Sequence, residues 1–195
     1  MRVSVLLIVC SCAASTLAAQ SSLGTEFASF RYGGSSHDTA GTVGRPGGGL
    51  AGSIRLDHRW RRWGAALRLS HANPGFTAAH ATLNLTDKST GSLFEIASLV
   101  STRVGGIGPS GAVWMEVGPA LHLWDFDGEY RKRIGATAAL LYEWPVVRKL
   151  TGAIRLEGML SPSWFDAADV PPEFERHATW RYGVGLGLRY RISGG

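Results

Sequence analysis

Cysteine is missing from all but the first dozen residues, where Cys10 and Cys12 fall. Whatever folds downstream has no disulfides to staple it, and must close its hydrogen bonds and bury surface by other means. Past the N-terminal leader there is no apolar run that could cross a bilayer as a helix, which takes about 20 residues. Mean hydropathy is +0.02. That profile suits a soluble protein, but also a membrane barrel, whose strands give only half their side chains to lipid. Helical periodicity is weak and proline is scarce. The chain is basic, at +5, yet its basic clusters are as short as Arg61-Arg62 and Arg131-Lys132-Arg133, and no nucleic-acid motif accompanies them. No nucleic-acid partner is expected. The glycine-rich Gly47-Gly48-Gly49 lacks the GKS/T ending of a phosphate loop.

What is present begins with a leader. Arg2 precedes an apolar run over residues 3–9, and small residues lead to Thr16-Leu17-Ala18-Ala19-Gln20. This is the make-up of a secretory signal peptide, with cleavage after Ala18 or Ala19. The alternative is a lipoprotein site at Cys12, with a very short apolar segment before it. The division expected is a signal peptide over 1–19 and a single barrel domain over 20–195.

Residues 179–192 sort by parity. Even positions hold Trp180, Tyr182, Val184, Leu186, Leu188, Tyr190 and Ile192; odd positions hold arginine and glycine. Alternate side chains of a strand face opposite ways, so one face is apolar and the other polar. The same rhythm recurs over 25–33, 50–60, 64–72, 92–104, 111–124, 133–144 and 150–160. On 25–33 the apolar face is read as Ala28, Phe30 and Tyr32. Pro119 inside a strand costs a ladder hydrogen bond and marks a bulge. Connections alternate between long (34–49, 73–91, 161–178) and short (61–63, 105–110, 145–149), with 125–132 intermediate where a long one is due. Residues 82–86 also alternate and are read as an outward extension of a loop hairpin. The fold class expected is all-β: an eight-stranded antiparallel up-and-down transmembrane β-barrel with long outer loops and short periplasmic turns.

Alternation alone does not say which face looks outward, because a soluble barrel would put its apolar face inside. Three features favour lipid outside. Aromatic residues sit near strand ends (Tyr32, Trp60, Trp124, Tyr142, Trp144, Trp180, Tyr190), as at a membrane interface. The polar face holds both signs of charge without lysine: Arg55, Asp57, Arg68, Glu95, Arg103, Glu116, Glu143, Arg155, Glu157, Arg181 and Arg189. Arginine's rigid fork suits bidentate pairing in a confined space. The loop rhythm is the third. The chain thus resembles the small bacterial outer-membrane β-barrels of the OmpA-transmembrane-domain, OmpX and OmpW kind, over residues 25–192. The family's C-terminal assembly signal is matched by Gly187-Leu188-Arg189-Tyr190-Arg191-Ile192, though Gly185 stands where a polar residue is usual and three residues follow. The resemblance implies recognition by the barrel-insertion machinery, residence in the bacterial outer membrane, contact with its lipids and lipopolysaccharide, and a monomer.

An eight-stranded barrel is just wide enough to be filled by side chains, so a plugged, charge-paired lumen is expected, with Arg155 and Glu157 in the network and His122 facing an acidic partner. Gly183, Gly185 and Gly187 are read as leaving room for large inward groups of neighbouring strands. For catalysis the candidates are Ser70-His71 and the nearby His80. Adjacent strand residues point to opposite faces, so Ser70 and His71 do not pair without a bulge. Asp125-Phe126-Asp127-Gly128-Glu129 brings three carboxylates to a loop, but Asp-Gly is a turn signal and the calcium-loop spacing is missing. No residue is assigned a catalytic, cofactor-binding or metal-binding role. The function expected is a structural or surface-interaction barrel. The alternatives are an outer-leaflet lipid-modifying enzyme and a narrow channel for small or apolar solutes.

Overall fold

The computed structural model describes residues 19–33, 36–37, 43–80, 83–87, 91–126, 128–163, 175 and 177–193. The leader reading therefore lies outside the described residues, except that Ala19 opens the first strand. Twelve strands follow in chain order. They are β1 (Ala19–Gly33), β2 (Ser36–His37), β3 (Val43–Pro46), β4 (Gly49–Trp60), β5 (Trp63–Ala72) and β6 (Phe76–His80), then β7 (Leu83–Asp87), β8 (Gly91–Gly105), β9 (Ala112–Phe126), β10 (Glu129–Val147), β11 (Leu150–Ser161) and β12 (Thr179–Ser193). Eight of them close an antiparallel barrel in the order β1-β12-β11-β10-β9-β8-β5-β4. The other four form a separate sheet, β2-β3-β6-β7.

All eight expected segments are strands of the barrel, most within a residue or two of their expected bounds. β1 starts six residues earlier than expected, and β10 extends at both ends. Residues 83–87 pair with β6 outside the barrel, as the hairpin-extension reading requires. The connection over 34–49 holds two short strands of that same outer sheet, which its glycines had hidden. The two connections that lead from the barrel to this outer sheet meet where the Gly47 amide donates to the Gly75 carbonyl at 3.1 Å.

The chain reverses tightly at one end of the barrel, through residues 61–62 and 148–149. Arg61 adopts a positive φ of 36° there, the twist that two-residue hairpins demand. The intermediate connection over 125–132 proves to be a tight hairpin at the opposite, long-connection end. β9 and β10 pair up to Phe126 and Glu129, and Gly128 turns with φ 86°.

Burial is inverted relative to a soluble barrel. Leu186 is 62% exposed and Ile54 56%, whereas Arg55 is 1% exposed and Glu116 0%. The outward parity expected for β4, β5, β8, β9, β10, β11 and β12 holds in each strand. Trp144 and Trp180 cover the outward glycines opposite them. A Cβ on Gly33 would fall 2.1 Å from the Trp180 ring, and one on Gly152 2.5 Å from that of Trp144. Bare glycine lets an aromatic ring lie flat on the neighbouring strand.

Four expectations need correction. The face of β1 carrying Phe30 and Tyr32 points inward; both are buried, and Leu23 and Phe27 face out. Trp124 is likewise buried inside, on the same parity as Trp114 and Glu116. Neither Tyr32 nor Trp124 is an interface aromatic. Pro119 makes no bulge: the β8–β9 register is the same at Ala97↔Ala120 and at Val100↔Val117, and shifts only between Arg103 and Gly105. Finally, Arg103 lies exposed at the short-turn rim and not in the core.

Candidate functional site

The interior is stacked in three layers. Toward the long-connection end, Phe30, Tyr32, Ala72, Leu93, Trp124 and Met159 form a buried apolar cluster. Its rings meet edge to face at 5.5 Å (Phe30–Tyr32) and tilted at 5.8 Å (Tyr32–Trp124). Toward the short-turn end, Trp114 packs with Ala139 and Leu141, and the Arg59 guanidinium stands 4.2 Å over its ring.

Between these layers lies an ion-pair network of six arginines (Arg55, Arg59, Arg68, Arg155, Arg181, Arg189) and six carboxylates (Glu26, Asp57, Glu95, Glu116, Glu143, Glu157). Arg55 is its hub. It donates to both oxygens of Asp57 at 2.9 and 2.5 Å, to Glu116 at 2.7 and 3.2 Å and to Glu26 at 3.3 Å. Glu116 also accepts from Arg155 at 2.5 Å, and Arg155 reaches Glu157 at 3.0 Å. Glu157 and Glu95 are both shared by Arg68 and Arg181. Glu143 accepts from Arg59 and Arg189, and Arg189 reaches Glu26 at 3.1 Å.

Each member has at least one opposite charge at hydrogen-bond distance. That is the condition under which buried charge is tolerated, because desolvation otherwise costs several kcal/mol per ion, on the order of a domain's whole stability. Counting its arginines and carboxylates, the network has six charges of each sign. The His122 Nε2 lies 3.1 Å from Glu95, so the expected acidic partner is there. Arg155 and Glu157 sit in the network as expected.

Glu26 was missed, and Arg59, although on the polar face of its strand, was absent from the interior set. Glu26 shares parity with Phe30 and Tyr32, so its charge was the available signal that this face of β1 turns inward. Arg59 continues the parity of Arg55 and Asp57, and the structure carries the network out to it.

The glycines of β12 serve the same interior. A Cβ at Gly187 would fall 2.7 Å from the Glu26 Cγ, and one at Gly183 3.2 Å from the Phe30 Cβ. Between the network and the apolar cluster the gap is about 20 Å³, lined by Ala28, Ala51, Ser70 and Arg181 among others. That holds about one water. At the short-turn end, below Trp114 and Glu143, a larger cavity of about 300 Å³ opens.

Ser70 and His71 do not assemble into a catalytic pair. Ser70 faces inward with its hydroxyl 3.5 Å from Glu95, and His71 is exposed on the other face. His80's side chain and Asp127 lie outside what is described. Asp125 caps the hairpin by accepting from the Gly128 amide at 3.2 Å, and Glu129 pairs with Arg131 at 2.8 Å. Those carboxylates are used to build a turn.

The fold and its charged interior define the class: a closed eight-stranded antiparallel barrel with an apolar outside, the fold of small outer-membrane barrels. No protein-family profile matches the chain, and no characterised protein matches it by sequence. Among solved structures it is similar to the crystal structure of Neisserial surface protein A (NspA), with a TM-score of 0.56 and 11% identity over 87% of this chain and 96% of that one. It also aligns with Ail, the attachment invasion locus protein of Yersinia pestis (TM-score 0.48, 11% identity, 89% and 100% covered). The likeness to NspA shows a shared fold.

Proposed function

We propose that the chain is an exported outer-membrane protein whose eight barrel strands cross the bilayer, with the short turns in the periplasm and the outer sheet at the cell surface. On this reading it serves as a structural or surface-interaction barrel and not as a conduit. The observation that supports it best is the inversion of burial, with exposed leucine, isoleucine and tryptophan outside and fully buried ion pairs within. Water offers no reward for that arrangement, whereas lipid does. The about 20 Å³ gap above the network and the apolar cluster beyond it support a lumen closed to solutes. The four-stranded sheet β2-β3-β6-β7 extends the long-connection end and supplies the surface an outside partner would meet. Lipid and lipopolysaccharide contact, insertion by the barrel-assembly machinery, a monomeric state and removal of residues 1–19 belong to the same proposal.

The test is reconstitution of the mature chain in planar bilayers beside cell fractionation. The expected result is a heat-modifiable outer-membrane protein without stepwise conductance. Stable single-channel steps would favour the channel reading, and recovery in the soluble periplasmic fraction would sink the membrane reading.

A further inference from the structure

The cavity at the short-turn end has a charge pattern unlike the rest of the interior. The walls of this cavity hold five arginines and one carboxylate, Glu143; Arg59 and Arg189 are already paired in the network, whereas Arg61, Arg103 and Arg191 stand outside it. Glu143 is already shared by Arg59 and Arg189. The Arg191 guanidinium meets the amide oxygen of Gln20 and, among the described residues, no carboxylate. Among the described residues, Arg61 and Arg103 have no carboxylate within ion-pair distance. Like charges converging on one hollow repel each other unless an anion enters.

Hydrogen bonding points the same way from independent atoms. The indole Nε1 of Trp114, the Nε of Arg59 and the Nε of Arg189 are buried and have no acceptor. All three residues line the cavity. A buried donor without an acceptor is costly. At about 300 Å³ the space matches the small end of ligand sites, roughly 300–1,000 Å³. Ser22 and Thr151 add hydroxyls to its wall.

We propose that this cavity is a binding site for a phosphate-bearing anion. The arginines arrive from β4, the 61–62 turn, the end of β8 and β12, so their forks surround the anion. Planar guanidinium groups bind phosphate bidentately where lysine would offer only a point charge. The chemistry recognised is the phosphate group itself, whether free or carried on a lipid headgroup.

The test is calorimetric titration of the full mature chain, refolded in uncharged detergent, with inorganic phosphate and separately with glycerol 1-phosphate. Wild type should bind at least one of them, and Arg61→Gln/Arg103→Gln should weaken that binding about tenfold while remaining heat-modifiable. Both residues lie outside the ion-pair network, so the barrel is expected to survive their loss. Arg131→Gln, at the opposite end, should bind as wild type does. Tighter binding of glycerol 1-phosphate would support a headgroup as the source, and equal binding would support free phosphate. No heat from either ligand, or equal affinity in wild type and a folded double variant, would overturn the proposal.

Discussion

Arg55 is the place to strike the network. Its side chain is fully buried and bonds three carboxylates, so Arg55→Met removes the hub while keeping most of its volume. The three partners are not equally stranded. Glu116 keeps Arg155 at 2.5 Å, and Glu26 keeps Arg189 at 3.1 Å. Asp57 is left with Arg59 and Arg189, each at 3.8 Å. One carboxylate loses its close partner, so the expected loss is that of one broken buried pair, about 3–5 kcal/mol, and not three times that. In urea titrations of the refolded protein in phospholipid vesicles, followed by tryptophan fluorescence, a slope of about 2 kcal/mol per molar turns this into a midpoint about 2 M lower. Because the damage is concentrated on Asp57, adding Asp57→Asn should restore about 0.5–3 kcal/mol, the coupling typical of contacting residues. A midpoint shift below about 0.5 M for Arg55→Met, or a double variant as weak as the sum of the two single ones, would refute the reasoning.

Glu157→Ala leaves three arginines facing one fewer carboxylate and should lower the temperature at which the folded band is lost on gels; an unchanged transition would remove Glu157 from the network. Leu186→Arg, on the outer face, should cost about 2–4 kcal/mol if that position lies near the bilayer midplane, and a neutral result in vesicle-unfolding titrations would undermine the facing. Gly118→Ala should sharply reduce the refolded yield, because its Cβ would fall 1.9 Å from the Ser98 carbonyl oxygen. Gly158→Ala, whose Cβ meets nothing within 4 Å, should stay within about 0.5 kcal/mol of wild type in the same titration. Glu129→Ala at the exposed hairpin should shift stability by about 1 kcal/mol or less by the same measure.

Parity made the strands of the barrel legible, because residues such as Arg55, Glu116 and Arg155 can face only the interior once the neighbouring leucines face out. The same rule failed on β1, where Phe30 and Tyr32 were placed outside. Aromatic rings are at home both in an interfacial belt and in an interior plug, so they do not set the phase of a strand. A carboxylate does, and Glu26 would have decided it. Trp124 was misplaced for the same reason, although it shares parity with Glu116. Arg103 shows the limit at the other end: parity persists to the tip of a strand, but enclosure stops at the rim. The pairings themselves were out of reach, since Arg189 meets Glu26 from 163 positions away and only closure brings them together. The short-turn cavity was equally hidden, because its arginines come from three separate stretches of chain, around 59–61, 103 and 189–191.

The seam between β1 and β12 closes the barrel, and it also completes the charge balance. Arg181 and Arg189 both belong to β12. Without that last strand the interior would hold six carboxylates and only four arginines, six less two, and the remaining anions would resist being enclosed. A chain that stops short of its C-terminus is thus penalised by electrostatics before any outside factor inspects it. The final strand acts as a proof of completeness, since the interior becomes neutral only when the whole polypeptide has arrived.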